Sequence, residues 1–465
     1  MPPVRALVAA ALLALILVPA AGAATIRGTA RNDLISAADG RRDTIACLGG
    51  RDIVTADLAD RVAADCEVVS RRVSQDTTTA PGAQHRTEVE PGSAAFGATL
   101  VSAFQVGRYP DGGAAATGFA TTTDAGRTWI SGLLPGIGRS SDPTVVYDAV
   151  HGVWLIATLG ITNGPSSLAV SRSPDGVHWE APVTAASGTG NAYDKEWLAC
   201  DSGSASPFRG SCYLVYTDEV LGRLAAIATH DGGLTWSAPA TVTAPSLQGF
   251  AAQPVVRPDG ALVVLFLSGA RLQAVRSIDG GVGFDAPATV SETRDAFWFW
   301  PQRFRAPALP SATVGPDGRV SVAWAGCELR ALCDADDILV ADSPDGVTWS
   351  APRRATVSAA GHVLPALAAD PATPGRLALV FYTGPGRTVD PFLKTSADGG
   401  TTWSAPQRLD TRPIGLDWLA VAGGAFLGDY VAVSFVQGRP LPVIPIAGLP
   451  RDGTLDEAIY VSTVR

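Results

Sequence analysis

Apolar and β-branched residues fall along most of this chain in short runs that end on Gly, Pro, Asn or Asp. DPTVVYDAVHGVWLIATL at 142–159, AQPVVRPDGALVVLFL at 252–267 and LPALAADPATPGRLALVFYT at 364–383 each read as a strand, a turn and a β-branched strand. Related segments are EPGSAAFGATLVSAFQ at 90–105, EWLACD with GSCYLVYTD at 196–218, APALPSATVGPDGRVSVAWA at 306–325 and DWLAVAGGAFLGDYVAVSFV at 417–436. Anchored on Pro91, Pro143, Trp197, Pro254, Pro307, Pro365 and Trp418, the pattern returns at intervals of about 50 residues, the length of one four-stranded unit. Few stretches carry a helical period, and 50 Gly and 34 Pro supply turns, so the pattern predicts an all-β fold.

A second motif recurs between these segments. It reads TTDAGRTW at 122–129, SPDGVHW at 173–179, THDGGLTW at 229–236, SIDGGVGF at 277–284, SPDGVTW at 343–349 and SADGGTTW at 396–403. The glycines (Gly126, Gly176, Gly232, Gly280, Gly346 and Gly399) suit a hairpin turn that needs positive φ. The carboxylates of Asp124, Asp175, Asp231, Asp279, Asp345 and Asp398 can accept turn amides, and the following Trp or Phe can pack beneath. This motif resembles the Asp box of sialidases and other BNR-repeat proteins, and the resemblance implies a β-propeller with structural boxes on its periphery. Seven strand units point to seven blades, with six, the number in sialidases, as the alternative. The last unit has no box after it, and 67–80 (EVVSRRVSQDTTTA) would supply its outer strand and close the ring.

The first residues read differently. Arg5, the apolar run Ala6 to Val18 and the small-x-small Ala21-Gly22-Ala23 form the pattern of an export signal over 1–23. The run is short for a membrane span, so no stable membrane insertion is expected after cleavage and the chain is expected to be secreted. Residues 24–66 then carry Asp33, Asp43, Asp52 and Asp60 at intervals of about eight to ten residues, each followed within two positions by an aliphatic residue. This resembles the calcium-binding nonapeptide repeat of RTX proteins, which implies a small β-roll-like cap with those aspartates as calcium ligands. A cage needs about six to eight oxygens, so a roll this short offers room for one or two ions, or none. The propeller would then occupy 67–465.

Net charge is −9 with no block of like charge, which argues against nucleic acid as partner. Cys47 with Cys66, Cys200 with Cys212 and Cys327 with Cys333 form three local couples in an even set of six, the pattern of disulfides in an exported protein. Local closure is the simplest of the possible pairings. No CxxC occurs and the five histidines are scattered, which speaks against zinc.

Propellers hold ligands at the mouth of the central channel, where the inner strands begin. Polar residues at such places are Arg86, Glu88, Asp142, Asp194, Lys195, Glu196, Gln253, Arg303, Arg305, His362 and Asp417, with Asp429-Tyr430 facing the same region. Trp298 and Trp300 in DAFWFW offer a sugar-stacking surface. The sialidase resemblance implies three arginines on a substrate carboxylate, an acid and a Tyr–Glu nucleophile pair. Arg86 and Arg305 are the positional candidates for arginines, Asp142 for the acid, Tyr430 for the nucleophile and Glu196 for its helper. The F/Y-R-I-P motif that carries the first arginine in that family is absent. Three functions follow as expectations. One is a propeller that binds glycans or cell-surface proteins, another an exo-acting glycoside hydrolase of sialidase type, and the third a chiefly structural envelope component. Calcium is the one cofactor expected, and no organic cofactor.

Overall fold

The computed structural model describes residues 14–16, 22–161, 166–188, 192–296, 304–384 and 386–465. Most of the expected export signal, and Trp298, Trp300 and Arg303, lie outside them. Among the described residues no helix is long and apolar enough to cross a membrane.

The chain begins as a two-sheet roll of parallel strands. In one sheet β1 (Ala14–Ile16) is followed by β3 (Asp33–Ser36), β5 (Ile53–Ala56) and β7 (Val68–Arg72). In the other β2 (Thr25–Arg27), β4 (Thr44–Ala46) and β6 (Arg61–Val62) run side by side. The residue two positions after Asp33, Asp43 and Asp52 turns inward, so Ile35, Ile45 and Val54 fill the roll together with the Cys47–Cys66 disulfide, while Ile53 joins the neighbouring core. Side chains two positions apart on an extended chain share a face, and Asp33, Asp43 and Asp52, each two residues before one of these aliphatics, are buried as well.

The remainder is a β-propeller of four-stranded antiparallel sets. The first contains β8 (Gln84–Phe96), β9 (Thr99–Arg108), β10 (Ala114–Thr122) and β11 (Ile130–Leu133). The second contains β12 (Ser140–Asp148), β13 (Val153–Gly160), β14 (Ser167–Ser173) and β15 (Val183–Ser187). The third opens on β16 (Tyr193–Cys200), and further inner strands are Phe250–Val256, Ser311–Val314, Gly361–Ala369 and Ala432–Val436. The final strand, Glu457–Val464, pairs antiparallel with β7, so β7 belongs at once to the roll and to the ring.

Hydrogen bonding collects these strands into five sheets of four or more strands, not into the seven or six separate blades expected. One of them has 15 strands. Its size has a local cause: single bridges at Ala114↔Ser140 and Glu457↔Thr87 join neighbouring sets, and β7 adds the roll.

The cores lie between consecutive sets. Val153, Leu155 and Ala157 of β13 pack toward Leu198, Leu214 and Tyr216, whereas Trp154 and Ile156 of the same strand pack back toward Val101 and Phe119. A period of two thus gives each strand two apolar faces, which is why these runs read as continuous hydrophobic stretches. The cluster around Phe104, Leu441, Val443 and Ile459 joins the end of the chain to the first set.

The six recurrent turns staple neighbouring sets. Asp124 Oδ1 accepts the amides of Arg127 and Thr128 at 3.0 and 2.8 Å, and Asp345 Oδ1 those of Val347 and Thr348 at 2.8 and 2.7 Å. Gly176 at φ 75° would place a Cβ 2.6 Å from Val101, and its carbonyl accepts Thr121 Oγ1 of the preceding set at 2.5 Å. Arg172 Nε donates likewise to Gly232 O at 2.7 Å. The Cys200–Cys212 and Cys327–Cys333 pairs close within their own sets, so all three local couples are disulfides. These bonds fit an oxidising, extracellular setting.

Candidate functional site: a charged cavity at the channel mouth

Inner strands of the ring share an irregularity. Glu90 in β8, Asp142 in β12, Lys195 in β16, Ala251 in Phe250–Val256 and Leu364 in Gly361–Ala369 all have φ between 49° and 55°. Each sits where the pairing with the next strand slips. These are bulges whose first residue is left-handed, the conformation glycine normally takes. Non-glycine residues held there cost on the order of 1–3 kcal/mol each. Three of the five carry charged side chains, and those three meet.

Lys195 Nζ lies 2.6 Å from Asp142 Oδ1, 2.7 Å from Asp429 Oδ2 and 3.6 Å from Glu90 Oε1. All four residues are buried. Asp429 is reached through a tight approach of the FLGDY segment, where a Cβ on Gly428 would come within 2.8 Å of Glu90 Cγ. Its amide then donates to Glu90 Oε1 at 2.9 Å. Arg305 grips Asp429 with a two-pronged contact, Nε to Oδ1 at 2.8 Å and Nη2 to Oδ2. Burial works against the charge on Lys195, yet Asp142, Asp429 and Glu90 together hold its ammonium well above the usual lysine range. Burial likewise opposes ionisation of Asp429, but Lys195 and then Arg305 hold its carboxyl below the usual range. Glu90 goes the other way: burial outweighs Lys195 and raises it.

Above this cluster opens a cavity of about 780 Å³. Its wall includes Ser141, Asp142, Tyr193, Asp194, Lys195 and Phe250 from the starts of inner strands, and Arg108, Arg139, Glu219 and Arg305 around them. Burial first, and Asp142 next, raise the Asp194 carboxyl. Phe426 lies under two guanidinium groups, those of Arg108 and Arg305, each 4.8 Å from its ring centre. A smaller opening of about 300 Å³, lined by Ser93, Trp197, Gln253, Ser311 and Phe435, lies farther along the inner strands.

The residues singled out from the sequence divide between this cavity and other places. Asp142, Asp194, Lys195, Arg305 and Asp429 line it. Tyr430 does not; its hydroxyl donates to Pro143 O at 3.1 Å and its ring meets Trp197 edge-on. Burial, then Glu90 and Asp142, push its phenol well above the usual range. Glu196 is wholly buried without a hydrogen-bond partner among the described residues, and burial holds its carboxyl well above the usual range. Arg86 pairs with Asp456 at 2.6 Å, beside a separate recess lined by Arg72 and Asp76. Glu88 is buried and accepts Ser74 Oγ at 2.6 Å, and burial pushes it up to about 7. His362 is buried against Asp336 O and Ser358, and burial pushes it down to about 4. Asp417 is exposed on the short 3-10 turn Leu416–Trp418, and Gln253 lines the smaller opening.

Sequence reasoning missed Glu90, Arg108, Arg139, Tyr193, Glu219 and Phe250. The Glu-Pro at 90–91 and Asp-Pro at 142–143 carried no signal for these bulges, because proline favours extended backbone before it rather than the left-handed conformation found there.

In the roll, the four repeated aspartates are buried and carry backbone amides. Asp52 Oδ1 accepts the Asp33 amide at 2.7 Å, Asp60 Oδ1 that of Asp43 at 2.7 Å, and Asp43 Oδ1 that of Ala24 at 2.6 Å. Asp33 serves its own corner, accepting Thr29 Oγ1. Asp43 Oδ2 and Asp52 Oδ2 are buried with no hydrogen-bond partner among the described residues. Among the described residues the one group of three metal-type side chains within 4.8 Å is Cys47, Asp65 and Cys66, and both its cysteines are in the disulfide.

No family model and no curated protein matches this sequence. Solved structures do. A leech intramolecular trans-sialidase is 13% identical with a TM-score of 0.48, over 64% of this chain and 65% of that one. This chain therefore spans just under two thirds of that enzyme's length. An ulvan lyase of polysaccharide lyase family PL25 is 10% identical over 82% of this chain and 95% of its own, with a TM-score of 0.48. The α-L-arabinofuranosidase Arb93A of Fusarium graminearum is 15% identical over 85% and 97%, with a TM-score of 0.47. The likeness is one of fold alone. These similar structures are sialidases and other glycoside hydrolases or lyases.

Proposed function

We propose that this chain is an exported β-propeller that binds glycans in the cavity at its channel mouth. The observation that carries this reading is the make-up of that cavity: charged and polar groups from several strands, set beside the rings of Tyr193 and Phe250. Glycan sites combine such hydrogen-bonding groups with aromatic surface. The turns around Asp124, Asp175, Asp231, Asp279, Asp345 and Asp398 act as Asp boxes in this reading, and the roll as an RTX-like cap. Calcium, if the cap takes it, has Asp43 Oδ2 and Asp52 Oδ2 as its available carboxylate oxygens.

A glycoside hydrolase is the second reading, favoured by one observation. The Asp194 carboxyl, raised by burial and by Asp142, lines the same cavity as the ionised Asp429, and a raised acid beside an ionised carboxylate suits general-acid chemistry.

The test is direct binding of a glycan library by the whole chain, followed by calorimetry on the strongest ligands. Tyr193→Ala is expected to weaken binding at least tenfold. Ligands that bind equally well to this variant would place the site elsewhere, and capture of a protein with no glycan bound would favour the cell-surface-protein alternative. Turnover of a fluorogenic glycoside, lost in Asp194→Asn and kept in Tyr430→Phe, would move the hydrolase reading to the front.

A further inference from the structure

The charges around the cavity are unequal. Glu90, Asp111, Asp142, Asp194, Glu219 and Asp429 line it against Arg108, Arg139, Lys195 and Arg305. Three of the four cations are already ion-paired, and the fourth, Arg108, is buried with no carboxylate partner among the described residues and its Nε unbonded. Lys195 is held by Asp142 and Asp429, and Arg305 by both oxygens of Asp429. Arg139 pairs with Asp111 at 2.6 Å and lies over the Tyr109 ring. Arg108 is 4% exposed, gives Nη1 to Gln105 Oε1 at 2.7 Å and stacks on Phe426. A ligand carboxylate or sulfate would have to break one of the three ion pairs, or reach the 4% exposed Arg108 close to Glu90, and either way it would meet like charge.

Two carboxylates are differently placed. Asp194 and Glu219 have no ion-pair partner among the described residues, and Asp194 accepts only the amide of Lys195, at 2.9 Å. The antiparallel pairing of β16 with Cys212–Asp218 brings them to one corner: Asp194 lies opposite Thr217, and Tyr193 opposite Asp218, the residue before Glu219. Tyr193 is fixed there by donation from its hydroxyl to Ser187 O at 3.1 Å. The Asp194 carboxyl is raised by burial, then by Asp142 and further by Glu219, which together outweigh the opposing pull of Lys195, so a bound cation at this corner would ease a like-charge conflict between the two acids. Aromatic rings add to the attraction of a cation.

We infer that the cavity takes a glycan bearing a free amine, a cationic amino sugar, with Asp194 and Glu219 receiving the ammonium group beside the Tyr193 ring. This rests on the glycan-binding reading and gives it a substrate class opposite in charge to sialosides.

Calorimetry on the whole chain tests it with three oligosaccharides of equal length: a glucosamine oligomer, its N-acetylated counterpart and an oligogalacturonate. The glucosamine oligomer is expected to bind at least tenfold tighter than the acetylated one and the galacturonate weakest. The gap should narrow as salt screens the contact. Glu219→Gln, at an exposed position, and Asp194→Asn are each expected to reduce the amine-to-acetyl ratio at least threefold. A galacturonate that binds as tightly as the amine, or a ratio unmoved by either substitution, overturns the inference while leaving glycan binding standing. Failure of all three oligosaccharides, together with a blank glycan library, removes both.

Discussion

The roll and the channel mouth both bury several carboxylates, and they satisfy them in opposite ways. In the roll the acids take amides from the neighbouring coil, one repeat pair away in sequence: Asp52 that of Asp33, Asp60 that of Asp43. The partners are backbone groups, so the arrangement follows from the repeat alone. At the mouth, Glu90, Asp142 and Asp429 take a lysine and an arginine brought in by other sets of the ring. Backbone ladders tolerate variation between coils, whereas an ionic cluster of this kind depends on one residue at one place. That difference is the reason one region reads as scaffold and the other as a site.

Lys195→Met should separate the two regions most strongly. It leaves three carboxylates buried without their common cation, and removing one member of a buried ion pair costs about 3–5 kcal/mol. Chemical denaturation is expected to show that loss. A change below about 1 kcal/mol, the size of a surface pair, would mean that the cluster is not a buried network.

Next in size is the roll's disulfide. Replacing Cys47 and Cys66 together by Ser opens a closure of 19 residues, with an expected loss of about 3 kcal/mol in the chain-entropy model. Because β7 is shared with Glu457–Val464, limited proteolysis should then nick the last set of the ring as well as the roll. Nicks confined to the roll would show that the two are not mechanically joined.

A smaller effect follows from pH. Burial pushes Asp60 up to about 6, against the amides of Asp43 and Asp57 that it accepts. A carboxyl raised on folding contributes stability that is full below its unfolded value near 3.8 and is lost as pH rises through about 6. The Asp43 and Asp57 amides should therefore be better protected from hydrogen exchange at pH 5 than at pH 7, after correction for intrinsic rates and in the presence of chelator. Asp429, lowered by Lys195 and Arg305, has the reverse sign, its share being lost only as pH falls below the ordinary carboxylate value. Equal protection of the roll amides at both pH values would contradict the assignment.

The smallest change expected is at a peripheral turn. Asp345→Ala removes an acceptor of two amides at an accessible surface position, and about 1 kcal/mol is expected by thermal unfolding. Any loss of ligand binding from this substitution would be unexpected, since Asp345 lies outside the channel-mouth cavity.

How much of this could be read from residues alone follows the same division. The propeller was legible because each strand segment and each turn repeats, and because local geometry alone decides both. The three disulfides were legible through their short separations. Fusion of neighbouring sets was not, since it depends on single bridges such as Glu457↔Thr87 that leave no pattern. Lys195 and Asp142 could be picked out as charges at the start of inner strands, but their meeting with Asp429 required the ring to close. Arg86 illustrates the limit. Its position resembled that of a substrate-gripping arginine, yet it lies against Asp456, because the first inner strand starts beside the end of the chain.

The most direct test is a crystal structure of the whole chain with a bound oligosaccharide identified by the binding screen. The expected result is a sugar in the cavity among Tyr193, Asp194 and Arg305, with Lys195 still held by Asp142 and Asp429. A sugar bound instead at the smaller opening around Trp197 and Gln253, or on the outer turns, would contradict the claim that the charged mouth is the functional site.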